Sequence, residues 1–305
     1  MIWTLNGRNI ETLLEIDLSL SRDIIRGDMT TQTEPQILLT NDDGIRSPGL
    51  WAAAEALSRL GFVTVAAPRE QSSGAGRSMP VTSDGKLHKE QVAVGGKTWS
   101  VYAVGGTPAQ AVQHGILELM ESPPDLVVAG INYGENLTIG ITISGTVGAA
   151  LEGAALGIPS MAVSLEMSKD YYLSHSEDID FTGAKHFTWL FADLLLNHKM
   201  FSDVDVLKID IPCDADPQTE WRVTKLSKHP YYVPVAPRRV NLEDANPMGF
   251  EIMLDKDEVE QNSDVQALAV DRVVSVTPLS LDLTSRVDLH DFEHYLRSSR
   301  EEERE

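Results

Sequence analysis

Hydrophobic and polar positions alternate between two regular patterns through most of the chain. Short solid apolar runs, as buried parallel strands show, recur at Ile37-Leu38-Leu39, Phe62 to Ala67, Asp125 to Gly130 and Ser160 to Ser164. Between them lie stretches with helical spacing. Leu50, Ala54, Leu57 and Leu60 share a face in a helix predicted from Pro48 to Leu60, with Ser47 as its cap and Pro48 at its first position. A second helix runs from Thr107-Pro108 to about Glu121 and stops at Ser122-Pro123-Pro124. A third, rich in small residues, covers Gly148 to Leu156, and a fourth covers Thr182 to Leu196. Val81 to Val104 reads as a β-hairpin excursion, with turn dipeptides at Asp84-Gly85 and Gly95-Gly96.

Strands alternating with helices predict an α/β fold: Rossmann-like, three-layered, with a mostly parallel sheet. Beyond Trp221 the pattern changes. Tyr231 to Arg239 is proline-rich and extended, residues 241–266 are polar and irregular, Val273 to Pro278 is a late strand, and Asp288 to Arg297 is a short helix before a charged tail. The expected organisation is an N-terminal appendage at 1–35, a catalytic core at 36–225 and a C-terminal extension at 226–305 used in oligomerisation. Within the appendage Ile10 to Ile25 has the spacing of one amphipathic helix, and Met29 is an alternative start.

Composition narrows the function. Among 305 residues, 46 are acidic and 25 basic, a formal charge of −21. Such a surface repels nucleic-acid polymers and anionic membranes, so a small-molecule substrate is expected. No stretch is long and apolar enough to span a bilayer. The single cysteine, Cys213, rules out an internal disulfide framework and suits a reducing compartment, so a cytoplasmic location is expected.

The candidate chemistry sits at strand ends. Asp42 and Asp43 follow the first strand, and in open α/β sheets ligands bind beyond the carboxyl ends of the strands. Adjacent carboxylates repel unless a cation or proton is shared between them, although one of the pair can equally close an Asx turn. Two further strand ends bring Ser73 and Asn132 to the same edge. Two carboxylates, a hydroxyl and an amide oxygen form a hard donor set suited to Mg2+ or Mn2+. Ser144 and Thr146 open the small-residue helix, whose free amides and positive dipole end suit a phosphate. No GxxxxGK[ST], no GxGxxG after the first strand and no Gly-x-Ser-x-Gly elbow is present, and the eight histidines are scattered. These patterns are compatible with a phosphohydrolase, a nucleotide-sugar transferase or a non-catalytic nucleotide-binding module.

Six segments in order resemble one family. Ile37-Leu38-Leu39-Thr40-Asn41-Asp42-Asp43-Gly44-Ile45 is similar to the opening of the SurE survival proteins, metal-dependent 5′/3′-nucleotidases. Ala67-Pro68 with Ser73-Gly74, Gly106-Thr107-Pro108-Ala109, Gly130 to Asn136, Ser144-Gly145-Thr146-Val147 with Ala150 to Gly153, and Val274 to Leu279 resemble its later motifs. The resemblance implies one divalent cation per subunit, Mg2+ or Mn2+, on Asp42, Asp43, Ser73 and Asn132. It also implies a catalytic role for Asp42 and Asp43, substrate contacts from Asn41, Gly106, Thr107, Asn136, Ser144, Gly145 and Thr146, hydrolysis of nucleoside monophosphates, and a homodimer or homotetramer. Arg69, Ser72 and Gln110 depart from the family pattern, which usually has Asp, Arg and Asp there. Its LNVNVP strand is Leu207-Lys208-Ile209-Asp210-Ile211-Pro212 here. The alternatives are a metal- or nucleotide-binding module of the same fold without turnover, and a phosphatase for another phosphomonoester or a short polyphosphate. A haloacid-dehalogenase-like phosphatase needs DxD, and the acids here are adjacent.

Overall fold

A computed structural model describes residues 4–5, 8–9, 34–167, 179–246, 248–255 and 258–298. The helix expected at Ile10 to Ile25 lies outside the described residues, as does the tail from 299 onward. In chain order the main elements are β1 (Gln36–Thr40), α1 (Pro48–Leu57), β2 (Phe62–Pro68), the hairpin β3 (Leu87–Val94) and β4 (Lys97–Val104), α2 (Pro108–His114), β5 (Leu126–Tyr133), α3 (Gly145–Ala155), β6 (Ser160–Leu165), α4 (Thr182–Asn197) and β7 (Val206–Ile211). The later elements are β8 (Trp221–Val223), β9 (Tyr232–Val235), β10 (Gly249–Ile252), β11 (Val274–Leu279) and α5 (Leu289–Ser298).

Nine strands form one sheet in the order β8-β11-β7-β6-β5-β1-β2-β4-β3. The six from β7 to β4 run parallel, β3 is antiparallel to β4, and β11 is antiparallel to β7. The late strand therefore lies inside the main sheet although it follows residue 225. β9 and β10 pair separately as an antiparallel arm, so ordered structure occupies part of the stretch expected to be irregular.

β1 shows why the sheet is covered on both faces. Ile37, Leu38 and Leu39 are all fully buried. Because side chains alternate across a strand, Ile37 and Leu39 enter the core under α1 and α4 with Leu50, Leu57, Phe187 and Phe191. Leu38 enters the opposite core under α2 and α3 with Val112, Val147 and Ala150. From β1 the chain winds one way to β2 and, later, the other way to β5 and β6. The crevice at the carboxyl ends of β1 and β5 is thus a topological switch point.

Several boundaries differ from expectation. Ser47 precedes α1 in extended conformation, but its hydroxyl makes no cap and is buried without a hydrogen-bond partner. Pro48 starts the helix by its fixed φ alone. Gly49 lets α1 approach the β5 end closely, since a Cβ there would lie 2.1 Å from the Ile131 carbonyl oxygen. α2 ends at His114 and passes into one wide turn, Gly115–Leu119, before Pro123. Gln110, one of the departures, completes a capping box with Thr107 and also accepts from the Ser83 hydroxyl at 2.7 Å. α3 begins at Gly145, earlier than expected, because Ser144 is its N-cap and accepts from the Val147 amide at 3.1 Å.

A buried ionic group joins the C-terminal segment to the core. Lys208 of β7 is fully buried and donates to Asp210, to Asp264 at 3.3 Å and to the Asn136 carbonyl at 2.8 Å. Asp264 in turn accepts from the Thr138 amide at 2.8 Å and the Ser227 amide at 2.9 Å. Burial works against the Lys208 ammonium, but Asp210 and Asp264 outweigh it and hold its pKa above the ordinary lysine value. Removing one member leaves uncompensated charge in the interior. Lys208→Met is therefore expected to destabilise the protein by about 3–5 kcal/mol in urea denaturation. Asp210→Asn should do less harm, because Lys208 keeps Asp264.

Candidate metal centre

The site is built where β1, the loop after β2, the end of β5 and the start of α3 meet. Asp42 and Asp43 are both 4% exposed. The turn that carries them is closed by Asn41, whose side-chain amide donates to the Gly44 carbonyl at 3.0 Å and whose carbonyl accepts from the Gly44 amide at 3.2 Å. The Asx closure considered for the aspartates is thus made by Asn41, and the two carboxylates are left to face the crevice.

Each carboxylate has its own donors. Asp42 accepts from the Thr146 hydroxyl at 2.5 Å, and the same hydroxyl oxygen lies 3.3 Å from the Asn132 carbonyl oxygen. One α3 residue therefore brings Asp42 and Asn132 together. Gly145 permits the contact: a Cβ there would sit 2.7 Å from the Asp42 Cβ. Asp43 accepts from the Tyr133 amide at 2.9 Å and from the Gln71 side-chain amide at 3.3 Å. Gln71 also donates to the Ser73 hydroxyl at 3.0 Å. Asn132 lies within β5, just after a register shift against β6 between Ala129 and Asn132, rather than in the loop beyond the strand.

Electrostatics separates the two acids. Burial raises the pKa of Asp42, while the Thr146 hydroxyl and the Thr146 and Gly145 backbone amides pull it down. Asp43 is held well above the ordinary carboxylate range, first by burial and then by the charge of Asp42. Two adjacent buried carboxylates with this mutual repulsion, beside a carbonyl oxygen and a hydroxyl, fit a hard divalent cation. Among the described residues, Glu166 with Cys213 and Asp214 form another group of metal-binding residue types, but their carboxylates already hold the Arg272 guanidinium at 2.5–2.7 Å, and a third group, Asp288 with His290 and Asp291, is exposed.

The expected substrate contacts divide. Ser144, Gly145 and Thr146 are at the α3 N-terminus beside Asp42. The Ser144 oxygen accepts from Val147 and its own proton is not used in that cap, whereas the Thr146 proton is committed to Asp42. Asn41 is engaged with Gly44. Asn136 is held by Ser164, Asp210 and Lys208, and Thr107 caps α2 and donates to the Ser78 carbonyl, with Gly106 packed on Gln110. The departing side chains are also engaged away from the acids. Arg69 pairs with Asp84 at 3.3 Å and meets His88, and the Ser72 hydroxyl donates to the Glu70 carbonyl at 3.4 Å.

Gln71 and Glu135 were not anticipated. The signal for Gln71 in the sequence is only that of a polar side chain two residues before Ser73 on the same loop. Glu135, a buried acid inside the Gly130 to Asn136 segment, accepts from the Tyr232 hydroxyl at 2.7 Å, a contact across 97 positions of sequence.

The profile of the family described as Survival protein SurE matches residues 37–232. A protein named 5′-nucleotidase SurE from Thermococcus gammatolerans is 40% identical over 261 residues, covering 86% of this chain and 96% of its own length. One of the same name from Methanosarcina acetivorans is 39% identical over 276 residues, 86% of this chain and 98% of its own. The crystal structure of the SurE protein from Aquifex aeolicus superposes with a TM-score of 0.67 at 33% identity, covering 86% of this chain and 99% of that one.

Because folding raises the pKa of Asp43, the native state holds that proton more tightly than the unfolded chain. The metal-free protein should therefore lose stability as pH rises from the ordinary carboxylate value through the raised one. Asp43→Asn removes the repulsion. Without metal at pH 7 it should be more stable than the parent. The gain should shrink toward pH 4. The same variant should lose the rise in melting temperature that Mn2+ produces in the parent; thermal melts with and without Mn2+ check both.

Proposed function

The chain belongs to the SurE survival-protein family, and we propose that it is a divalent-metal-dependent 5′-nucleotidase, hydrolysing nucleoside monophosphates to nucleoside and phosphate. The observation that carries this reading is the pair of buried carboxylates, Asp42 and Asp43, gathered with Asn132 against the N-terminus of α3. One cation per subunit, Mg2+ or Mn2+, would be held by Asp42, Asp43, Asn132 and Ser73. When bound it supplies charge to phosphoryl oxygens and lowers the pKa of a coordinated water.

The chain's own groups supply the rest. At the positive end of α3 the Ser144 hydroxyl offers a donor to the substrate phosphate, while the Gly145 and Thr146 amides act on Asp42. The Thr146 hydroxyl donates to Asp42 Oδ1, which offsets part of the effect of burial and sets that oxygen near Asn132. The Tyr133 amide donates to Asp43 Oδ2 and the neutral Gln71 amide to Oδ1, so the carboxylate is held where it would orient the attacking water and accept its proton. Both carboxylates would be committed to the cation, which favours water as the nucleophile over an aspartyl-phosphate. A trapped phosphorylated Asp42 or Asp43 would reverse that choice.

The same reading includes a homodimer or homotetramer working in the cytoplasm. The β9–β10 arm exposes Phe250, Ile252, Met248 and Met253, and α5 exposes Leu289, Phe292 and Leu296. Contiguous apolar side chains of this kind are typically covered by another protein surface. Among the described residues no helix is long and apolar enough to cross a membrane.

Release of phosphate from AMP or a generic phosphomonoester, with Mn2+ and with EDTA, is the deciding experiment. Activity that survives complete chelation, or no turnover at saturating Mn2+, overturns the proposal. Asp42→Asn should reduce Mn2+-dependent turnover by a factor of about 100 or more while leaving the far-UV spectrum unchanged. Phe250→Asp with Ile252→Asp should shift the sedimentation coefficient to that of a smaller assembly; an unchanged value would place the interface elsewhere.

A further inference from the structure

The loop between β2 and β3 brings a second side chain to the metal centre, one that no family motif assigns. We propose that Gln71 is a positioning residue of this centre: its amide ties the exposed Ser73 hydroxyl to the buried Asp43 carboxylate and so presents the two oxygens jointly to the cation. The proposal rests on the cation site described above.

The geometry is specific. A glutamine NH2 has two donor hydrogens. Here the nitrogen lies 3.3 Å from Asp43 Oδ1 and 3.0 Å from Ser73 Oγ, so both donors reach oxygens of the ligand set. Ser73 needs such help. It is exposed, and it precedes Gly74 at φ +76°, a left-handed backbone that makes the loop permissive. A neutral hydroxyl that must first be ordered contributes little to cation affinity, and a ligand already held in place contributes more. The other ligands have their own anchors: the Thr146 hydroxyl for Asp42, the Gly134 carbonyl, which accepts from the Asn132 side-chain amide at 2.7 Å, for Asn132, and the Tyr133 amide for Asp43. Ser73 has Gln71.

The backbone beneath Gln71 is fixed. The next amide, that of Ser72, donates to the Asp42 carbonyl at 2.7 Å, and further along the Gly76 amide donates to the Ile143 carbonyl at 2.9 Å. The glutamine therefore starts from a site defined relative to Asp42, and only its side chain remains to be placed. Its neutrality matters as well. A lysine here would place a full positive charge beside the cation, whereas an amide offers hydrogen bonds without net charge.

The test is a double-mutant cycle on the full-length chain, freed of metal by chelation and titrated with Mn2+ by calorimetry. Gln71→Met keeps the length of the side chain and removes both donors. It should weaken Mn2+ binding about 5- to 20-fold, in the range found when partners of metal ligands are removed. Ser73→Ala should weaken it comparably. In the Ser73→Ala background, Gln71→Met should then add less than about twofold, because its effect acts through Ser73. A purely structural role for Gln71 would give the same loss in both backgrounds. The proposal is overturned if Gln71→Met binds Mn2+ within twofold of the parent, if it binds more tightly, or if the two substitutions multiply independently. Failure of the parent itself to bind Mn2+ would instead sink the cation site, and this proposal with it.

Discussion

Two carboxylates on consecutive residues, both withdrawn from water, are the constraint around which the rest of the structure is arranged. Asp42 and Asp43 cannot both be comfortable as anions where β1 ends, and the pKa of Asp43 is raised accordingly. What keeps the pair tolerable is a set of donors drawn from three other segments: Thr146 and Gly145 of α3, the Tyr133 amide of β5, and Gln71 from the loop after β2. None of these donors carries a full positive charge. A site filled with dipoles alone remains electrostatically open to a cation, which is what the proposed chemistry requires.

Holding those donors in place involves residues remote from the crevice. The loop after β2 is stitched to the Asp42 turn from both sides, Ile45 to the Pro68 carbonyl at 2.9 Å and Ser72 to the Asp42 carbonyl at 2.7 Å. The segment after β5 is held by Lys208, Asp210 and Asp264 at Asn136 and Thr138, and by Tyr232 at Glu135. Asn132 therefore depends on residues from β7 and from the C-terminal third of the chain. The charged pair at Lys208 and Asp210, where the family pattern has asparagines, fits this use. A buried lysine between two carboxylates ties three segments together at once, and an asparagine has fewer donors to do it with.

Much of this was legible in the residues. Short solid apolar runs mark the central strands, the proline and glycine stops bound the helices to within a turn or two, and Asp42, Asp43 and Asn132 converge near the strand ends. The failures have local causes. Ser47 and Ser144 both precede helices, but only Ser144 has its hydroxyl turned to an amide of the first turn, and sequence does not encode that rotamer. Asn41, Asn136 and Thr107 sit in motifs beside the site, yet their polar atoms close turns, tie strands or cap α2. The Tyr232–Glu135 and Asp264–Thr138 contacts span 97 and 126 positions and leave no periodic trace. Gln71 is one polar side chain in a loop that has several, and the sequence does not encode which of them turns toward Asp43.

The α3 N-terminus shows how one feature can serve two partners. Its amides and Thr146 hydroxyl already stabilise the Asp42 anion, so they are not idle donors waiting for phosphate. A helix dipole, however, is a field rather than a single bond, and its positive end acts on every anion within the first turn. Asp42 lies beside that turn, and the Ser144 hydroxyl, which accepts from the Val147 amide, keeps its own proton for another acceptor. With a cation on Asp42, much of the carboxylate's charge is met by the metal, and the same helix end is left with attraction for the phosphoryl oxygens that the metal also draws. Substrate affinity and metal affinity should therefore be coupled through α3, with each strengthening the other, because both act through the charge of Asp42.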